Sequence, residues 1–478
     1  MAMKKFYLTT PIYYVNNVPH VGHAYTTLAA DVIARYYRFK LGKENVFFIT
    51  GTDEHGANVA QAAAKHDKSP KEYADIVAPR FMEAWKLLNI RYDFFHRTTD
   101  PRHEKIVQEV LSKIYKKGYI YEGIYEGWYC IGCEKFLNIT DLVDGKCPLH
   151  PTREPVFQKE KNYFLKLKEL SKIILKKIKE KEYVILPLKR HNEIVNRLKQ
   201  GVDDISISRA GVSWGIPVPW DPNQTIYVWI DALLFYYTSI KFLSNHNRFW
   251  PPDLQLMAKD ILWFHSVIWQ AILIALNEKL PKTIFAHGFF TIDGQKMSKS
   301  LGNIISPEQL VNKYGVDGAR YLLLTAYEFG NDGDLSLSKF TSSYNADLAN
   351  GLGNLVSRVA KLCETSGFVH EISRRSRKFN KTLATSLEKF NFDKALGYIW
   401  KSDINWGLKW LDQEINENKP WQITDKKLLY LKLNLYVENI LDIAYNLQPF
   451  LPQTAEKIFK QFEEHNIKSQ PPLFPRIS

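Results

Sequence analysis

The chain has 478 residues, 45% hydrophobic and 24% charged, with a formal net charge of +13. That length supports two or three domains with cores of their own, and the composition is that of an ordinary globular protein. No run of about 18 apolar residues occurs, which excludes a membrane-spanning helix, and the start Met1-Ala2-Met3-Lys4-Lys5-Phe6 lacks the apolar stretch of a signal peptide. Four cysteines, three of them within 18 residues, are not a secreted disulfide framework. A cytoplasmic chain is the simplest expectation. The basic excess suits a polyanionic partner such as nucleic acid, and equally a lysine-rich solvated surface.

In chain order, Phe6-Tyr7-Leu8-Thr9-Thr10 reads as a short strand broken by Pro11. Apolar positions Val21, Leu28, Val32, Ile33 and Tyr36 then follow helical spacing, closed at Leu41-Gly42. The first turn of this helix holds His20, Gly22 and His23. A helix start offers unpaired N–H groups and partial positive charge to a phosphate; ordinary capping histidines would look the same. Next, Asn45 to Thr50 suits a buried parallel strand. It ends at Gly51-Thr52-Asp53-Glu54-His55-Gly56, polar groups where open α/β sheets bind ligands. A capped turn would need fewer.

From about Tyr121 aromatics and glycines alternate, and then comes Cys130-x-x-Cys133, thirteen residues, and Cys147-x-x-His150. Paired thiolates and an imidazole on two tight turns suit tetrahedral Zn2+, and four protein ligands make the site structural. Residues 161–185 form a basic amphipathic helical segment, and 190–220 a helix followed by short strands. Strand-like sequence returns at Thr225 to Ala232, with a helix over 233–242. A strand over 254–257 leads through Asp260 and His265 into a long apolar helix ending at Leu276. A further strand, Lys282 to Phe290, meets a hairpin turn at Thr291-Ile292-Asp293-Gly294.

A polar loop, Gln295-Lys296-Met297-Ser298-Lys299-Ser300, follows. Its lysines could follow charge building on a phosphate, or simply face solvent. From about Ala346 strands disappear. Helices are expected over 348–366, 381–389, 393–416, 426–447 and 452–463, a bundle. The Arg374-Arg375-x-Arg377-Lys378 cluster suits either RNA contact or a solvated linker. Cys363, at helical spacing, reads as a core residue.

His20-Val21-Gly22-His23 and Lys296-Met297-Ser298-Lys299-Ser300, in that order on a split α/β domain, resemble the class I aminoacyl-tRNA synthetases. Within that class the chain is most similar to the methionyl-tRNA synthetases, through Pro11 to Asn16, Gly51 to Gly56, Val228 to Ala232, Lys259 to His265, Asn354 to Arg358 and Lys419-Pro420-Trp421. The resemblance implies an α/β fold: a Rossmann-like parallel sheet split by a zinc-bearing connective insertion, followed by a C-terminal α-helical bundle. It implies catalytic halves at 1–118 and 223–300, an insertion with a zinc knuckle at 119–222, a lysine-loop and stem-contact region at 301–345, and an anticodon-binding domain at 346–478. The insertion is too short for the editing domain of the leucine, isoleucine and valine enzymes.

By that resemblance, L-methionine and Mg2+-bound ATP give methionyl-adenylate, whose acyl group passes to initiator and elongator methionine tRNAs. His20 and His23 would hold phosphates, Gly22 would admit adenine, and Lys296 and Lys299 would stabilise the pentacovalent phosphate. Asp260 would contact the nucleoside, and His287 and Gly288 the adenine. Methionine would meet Ile12, Tyr14, Trp229, Ala232, Tyr236, Ile261 and His265, with Asp53 on its amino group. Leu233 departs from relatives that have proline there. Asn354, Arg358, Pro420 and Trp421 would read the anticodon. Ending at Ser478, the chain is expected to be a monomer.

Overall fold

The computed structural model describes residues 4–478 apart from 131, 133, 134, 138, 140, 141, 149–153, 293, 297–302, 373–375 and 403–404. It resolves into two compact units. One comprises Met1–Pro19, Lys43–Glu83 and Tyr92–His287; the other comprises His20–Gly42, Ala84–Arg91 and Gly288–Ser478.

The first unit is built on a six-stranded sheet in the order Phe94–Arg97, Val46–Asp53, Phe6–Tyr14, Leu254–Ala258, Thr283–His287, Val184–Leu186, with every neighbour pair parallel. Continuous apolar runs such as Val46 to Ile49 suit strands covered on both faces. The chain builds outward from Phe6–Tyr14 on one side and later on the other, so a topological switch lies beside that strand. Pro11 does not break it: the strand runs on to Tyr14, and pairing with Val46–Asp53 shifts register between Thr9 and Ile12. The neighbouring strand continues through Gly51 to Asp53 rather than stopping at Thr50. Gly51 is required there, because a Cβ would lie 2.0 Å from the His96 carbonyl oxygen and 2.7 Å from the Phe235 ring.

Several sequence expectations change. Residues 161–165 end a long strand, Val156–Leu165, before the amphipathic helix Leu167–Lys179. That strand belongs to a four-stranded antiparallel sheet with Lys135–Leu137, Ile120–Cys130 and Ile205–Ser206. Val184–Leu186, inside the span 119–222, is the edge strand of the central sheet. The stretch 225–232 is not one strand: Asp221–Ile226 pairs antiparallel in a small separate sheet, and a helix runs Val228–Lys241. Twelve of that helix's fourteen residues are buried, so its sequence lacks a polar face and imitates a core strand. The expected long helix before Leu276 is a 3₁₀ turn at Lys259–Ile261, a π turn at Phe264–Ile268 and a helix at Trp269–Leu276. The strand over 282–290 ends at His287, and Phe290–Ile292 joins a different sheet.

In the second unit the helix Val21–Leu41 begins and ends where the sequence places it. The strands Gln295–Lys296, Phe290–Ile292 and Gly333–Leu335 form a small sheet, with the expected hairpin pairing Thr291 to Lys296. Helices follow at Pro307–Thr325, Asn354–Ser366, Lys381–Glu388, Lys426–Leu447 and Pro452–Phe462. The expected helix over 393–416 is two, Phe392–Lys401 and Leu408–Asn418, separated before Gly407 at φ 97°. Cys363 is buried, as its spacing implies, and burial pushes its thiol up to about 12.

The second unit is locked by a buried ion cluster. Arg320 donates from Nη2 to Asp31 Oδ2 at 2.8 Å, and to the carbonyls of Phe450, Leu88 and Pro449 at 2.7, 3.0 and 3.0 Å. Asp31 also accepts Arg35 Nε at 2.7 Å and the Arg91 N–H at 2.8 Å. Burial alone would raise the Asp31 carboxyl, but Arg35, Arg320 and the Arg91 N–H hold it below its ordinary value. Removing Arg320 leaves Asp31 with Arg35 as its cationic partner and takes the donor from three carbonyls. Arg320→Met is therefore expected to destabilise the chain by about 3–5 kcal/mol, read as a shift in the midpoint of denaturant unfolding; an unchanged midpoint would refute the role given to this cluster.

Candidate active site

Several of the residues expected to meet the amino acid lie at the carboxyl ends of the central strands or on the helix Val228–Lys241. Ile12 and Tyr14 alternate on the first strand with buried Tyr13 between them, and Tyr14 pairs across to Asp53. Ile12, Tyr14, Trp229 and Ile261, all partly buried, pack against the cluster that holds Tyr236. Trp229 lies nearly flat on Phe264, ring centres 4.0 Å apart. Trp229, Ala232 and Tyr236 recur at one face of the helix Val228–Lys241. Tyr236 bonds His265 Nε2 at 2.8 Å, while His265 Nδ1 lies 2.9 Å from the Ile261 carbonyl. Burial lowers His265 to about 4, so the ring is neutral at pH 7. Nδ1 then donates to Ile261, and Nε2 accepts from the Tyr236 hydroxyl. The π turn at Phe264–Ile268 supplies this geometry; such turns recur at functional positions. Partly buried apolar and aromatic side chains with one carboxylate paired beside Tyr14 suit a small amphiphile with a cationic amino group.

Asp260 lies in the 3₁₀ turn immediately after the strand Leu254–Ala258, and His287 ends the strand Thr283–His287. Gly288 belongs to the second unit, where a Cβ would fall 2.2 Å from the Asn331 carbonyl oxygen.

Also in the second unit, His20 is the N-cap of the helix Val21–Leu41. Its Nδ1 accepts the Gly22 N–H at 3.1 Å, and His23 Nδ1 accepts the His20 N–H at 3.2 Å. The two rings stack with centres 3.8 Å apart. Burial lowers His20 to about 4; burial and then His20 lower His23 further. Both are neutral at pH 7. Since each Nδ1 accepts, each proton sits on Nε2. Capping and phosphate binding are thus compatible roles for different nitrogens of the same rings. Lys296 closes the strand Gln295–Lys296, and Lys299 lies outside the described residues.

Two of the polar residues clustered after Gly51 face inward instead of toward a ligand. Glu54 takes a bidentate contact from Arg97 at 2.6 and 2.9 Å and bonds Thr52 and Thr99. His55 Nδ1 lies 2.7 Å from Asp231 Oδ2, and His103 Nε2 lies 2.5 Å from Asp231 Oδ1. Sequence reasoning missed Asp231 and His103. The available signal was a lone carboxylate inside the apolar run Val228 to Leu234, since a buried charge must find partners.

Cys130 and Cys147, distant in sequence, share one small buried cluster with Leu137. Two soft donors brought together from separate segments, Cys130 at a strand end, fit a zinc site. Cys133 and His150 lie outside the described residues, among which no group of three potential ligands occurs.

In the helical region Asn354 opens the helix Asn354–Ser366, and Arg358 follows one turn on. Arg358 bonds Asp412 at 2.9 Å and Asn416 at 2.5 Å, and its guanidinium lies 5.6 Å from the Trp421 ring centre. Pro420 is buried, whereas Trp421 is 55% exposed, an unusual state for an indole. Of the basic cluster, Arg374 and Arg375 lie outside the described residues, and Arg377 is committed to Asp442 and Glu438 at 2.6 and 3.2 Å.

The family model described as tRNA synthetases class I (M) matches residues 6–154 and 150–360. A methionine–tRNA ligase of Caldanaerobacter subterraneus is 40% identical over 96% of this chain and 74% of its own length. One from a Nostoc species is also 40% identical, over 96% and 90%. The Mycobacterium tuberculosis methionyl-tRNA synthetase in complex with methionyl-adenylate superposes with a TM-score of 0.90 at 33% identity, covering 99% of this chain and 100% of that one. Among the described residues no helix is long and apolar enough to cross a membrane. With the parallel sheet and the helical C-terminal region, these matches establish that the chain belongs to the class I aminoacyl-tRNA synthetases, in the methionine–tRNA ligase family.

Proposed function

We propose that the chain attaches L-methionine to methionine tRNAs, initiator and elongator alike, at the expense of ATP. The observation that carries this reading is the cluster of Ile12, Tyr14, Trp229, Tyr236 and Ile261 beside Asp53 at the strand ends. A flexible thioether is well held by polarisable aromatic walls, and Asp53 would take the amino group. In the first step the methionine carboxylate attacks the α-phosphorus of Mg2+-bound ATP and pyrophosphate leaves. In the second, a hydroxyl of the tRNA's terminal adenosine attacks the acyl carbon and AMP leaves.

The residue roles follow the chemistry of each group. His20 and His23 offer Nε2–H donors to phosphate oxygens, and Gly22 leaves room for the nucleotide. Asp260, His287 and Gly288 would contact the nucleoside. Lys296 and Lys299 would meet the charge that builds on the pentacovalent phosphate, where fixed dipoles alone do not suffice. Methionine-dependent ATP–pyrophosphate exchange tests the assignment; exchange with cysteine or leucine but not methionine would overturn it. In the same assay Lys299→Ala is expected to lower the rate by about 10²–10³-fold while leaving tRNA binding nearly unchanged.

The domain roles proposed are a catalytic domain in two parts, 1–118 and 223–300, a connective insertion at 119–222, a stem-contact region at 301–345 and an anticodon-reading domain at 346–478. In the last, Asn354 and Arg358 would hydrogen-bond unpaired bases, and Trp421, on the backbone stiffened by Pro420, would stack on one. Trp421→Ala should then raise the KM for tRNA by about tenfold with methionine activation unchanged, as expected for the loss of one stacked base. Unchanged tRNA kinetics would remove Trp421 from recognition.

Cys130, Cys133, Cys147 and His150 would hold one structural Zn2+, which supplies folding energy to the insertion and no chemistry to the reaction. Metal analysis should find about one zinc per chain, lost in Cys147→Ser; less than about half an equivalent in the unaltered chain would count against a tight site.

A further inference from the structure

The face of the helix Val228–Lys241 turned away from the pocket is held by two histidines from separate elements, and a third histidine holds its flank. Asp231 and Thr238, two turns apart, lie on the side opposite Trp229 and Tyr236, given about 3.6 residues per turn. His103, in the helix Pro101–Lys116, spans them: Nε2 reaches Asp231 Oδ1 at 2.5 Å, and Nδ1 reaches Thr238 Oγ1 at 2.7 Å. His55, just beyond the strand Val46–Asp53, reaches the other Asp231 oxygen at 2.7 Å, and its Nε2 lies 3.5 Å from Glu104. His96, on the strand Phe94–Arg97, reaches Ser239 Oγ at 2.6 Å and stacks on Phe235 with ring centres 4.5 Å apart.

Asp231, His55 and His103 are each at most 3% exposed, so this is a dry ionic clamp. Burial would raise the Asp231 carboxyl and lower the His55 imidazole. Their mutual attraction outweighs burial, leaving Asp231 at about 2 and His55, aided by Glu104, at about 10. The hydrogen bonds of His55 and His103 run to Asp231, Thr238 and Glu104. The clamp joins the helix bearing Trp229, Ala232 and Tyr236 to the strand end bearing Asp53, two residues before His55.

We propose that Asp231, gripped by His55 and His103, is a positioning residue for amino-acid recognition, fixing the rotation of the pocket helix relative to Asp53. The inference rests on the proposed function, in that the opposite helix face and Asp53 are taken to meet methionine. A small rotation of the helix would move the indole of Trp229 and the phenol of Tyr236 while leaving the nucleotide-binding groups in place.

The test is ATP–pyrophosphate exchange by the full chain carrying Asp231→Asn, which keeps the shape and removes the charge. The expected result is a KM for methionine raised about tenfold, a KM for ATP within about twofold, and weaker discrimination against norleucine, as for a misplaced binding wall. Thr238→Val, which removes the His103 bridge together with the hydroxyl's local bond to the Phe235 carbonyl and leaves Asp231 charged, should raise the methionine KM by a smaller factor, and it carries the test if Asp231→Asn does not fold. A methionine KM unchanged in the folded variants, or methionine and ATP constants that rise together, would overturn the inference. The unaltered chain separates the two claims: if it shows no methionine-dependent exchange, the proposed function fails and this inference with it. Normal exchange beside unchanged variant constants defeats the inference alone.

Discussion

Parallel pairing of Phe6–Tyr14 with Val46–Asp53 on one side and Leu254–Ala258 on the other is the constraint on which the first unit depends. Parallel strands cannot be joined by tight turns, so each pairing demands a crossover, and here the chain between Phe94–Arg97 and Leu254–Ala258 carries two antiparallel sheets besides the edge strand Val184–Leu186. The same constraint aligns the carboxyl ends of all the central strands. Ile12, Tyr14, Asp53, Asp260 and His287 therefore come to one edge although they are spread over some 275 residues of sequence. Gly51 shows how little slack remains, since the strand and the pocket helix approach too closely for any side chain.

The legible parts of the fold were those whose ends carry chemical punctuation. The helix Val21–Leu41 has a capping histidine before it and Gly42 after it, and both boundaries follow from the sequence. The helix Lys426–Leu447 has Asp425 as its cap and was equally plain. The pocket helix was misread because it is buried nearly all round, which erases the periodicity that separates helix from strand. Val184–Leu186 was hidden for a different reason: three residues between two basic helices carry no pattern, and only pairing with Thr283–His287 makes them a strand. The pocket residues were legible through resemblance to known synthetases. The clamp behind them was not, because His55, His103 and Asp231 acquire meaning only from distances across the fold.

One residue type serves three electrostatic ends in this chain. His265 and His20 are kept neutral by burial, one as a donor to a carbonyl and acceptor from a phenol, the other as a helix cap. His55 is equally buried yet charged, because a carboxylate lies against it. Burial sets the cost of charge, and the neighbour decides whether that cost is met.

The capping geometry of His20 and His23 has a consequence for turnover. With each Nδ1 accepting a backbone N–H, the pair would, on the proposed roles, meet phosphate as two neutral dipoles rather than two cations. A dipole gains from a nearby anion but does not bind it as a counter-ion would. On the proposed roles, the lasting positive charge at the phosphates therefore comes from lysines and Mg2+. The histidine end of the site then adds orientation without trapping pyrophosphate, so the departing product leaves behind a helix start that is already satisfied by its own side chains.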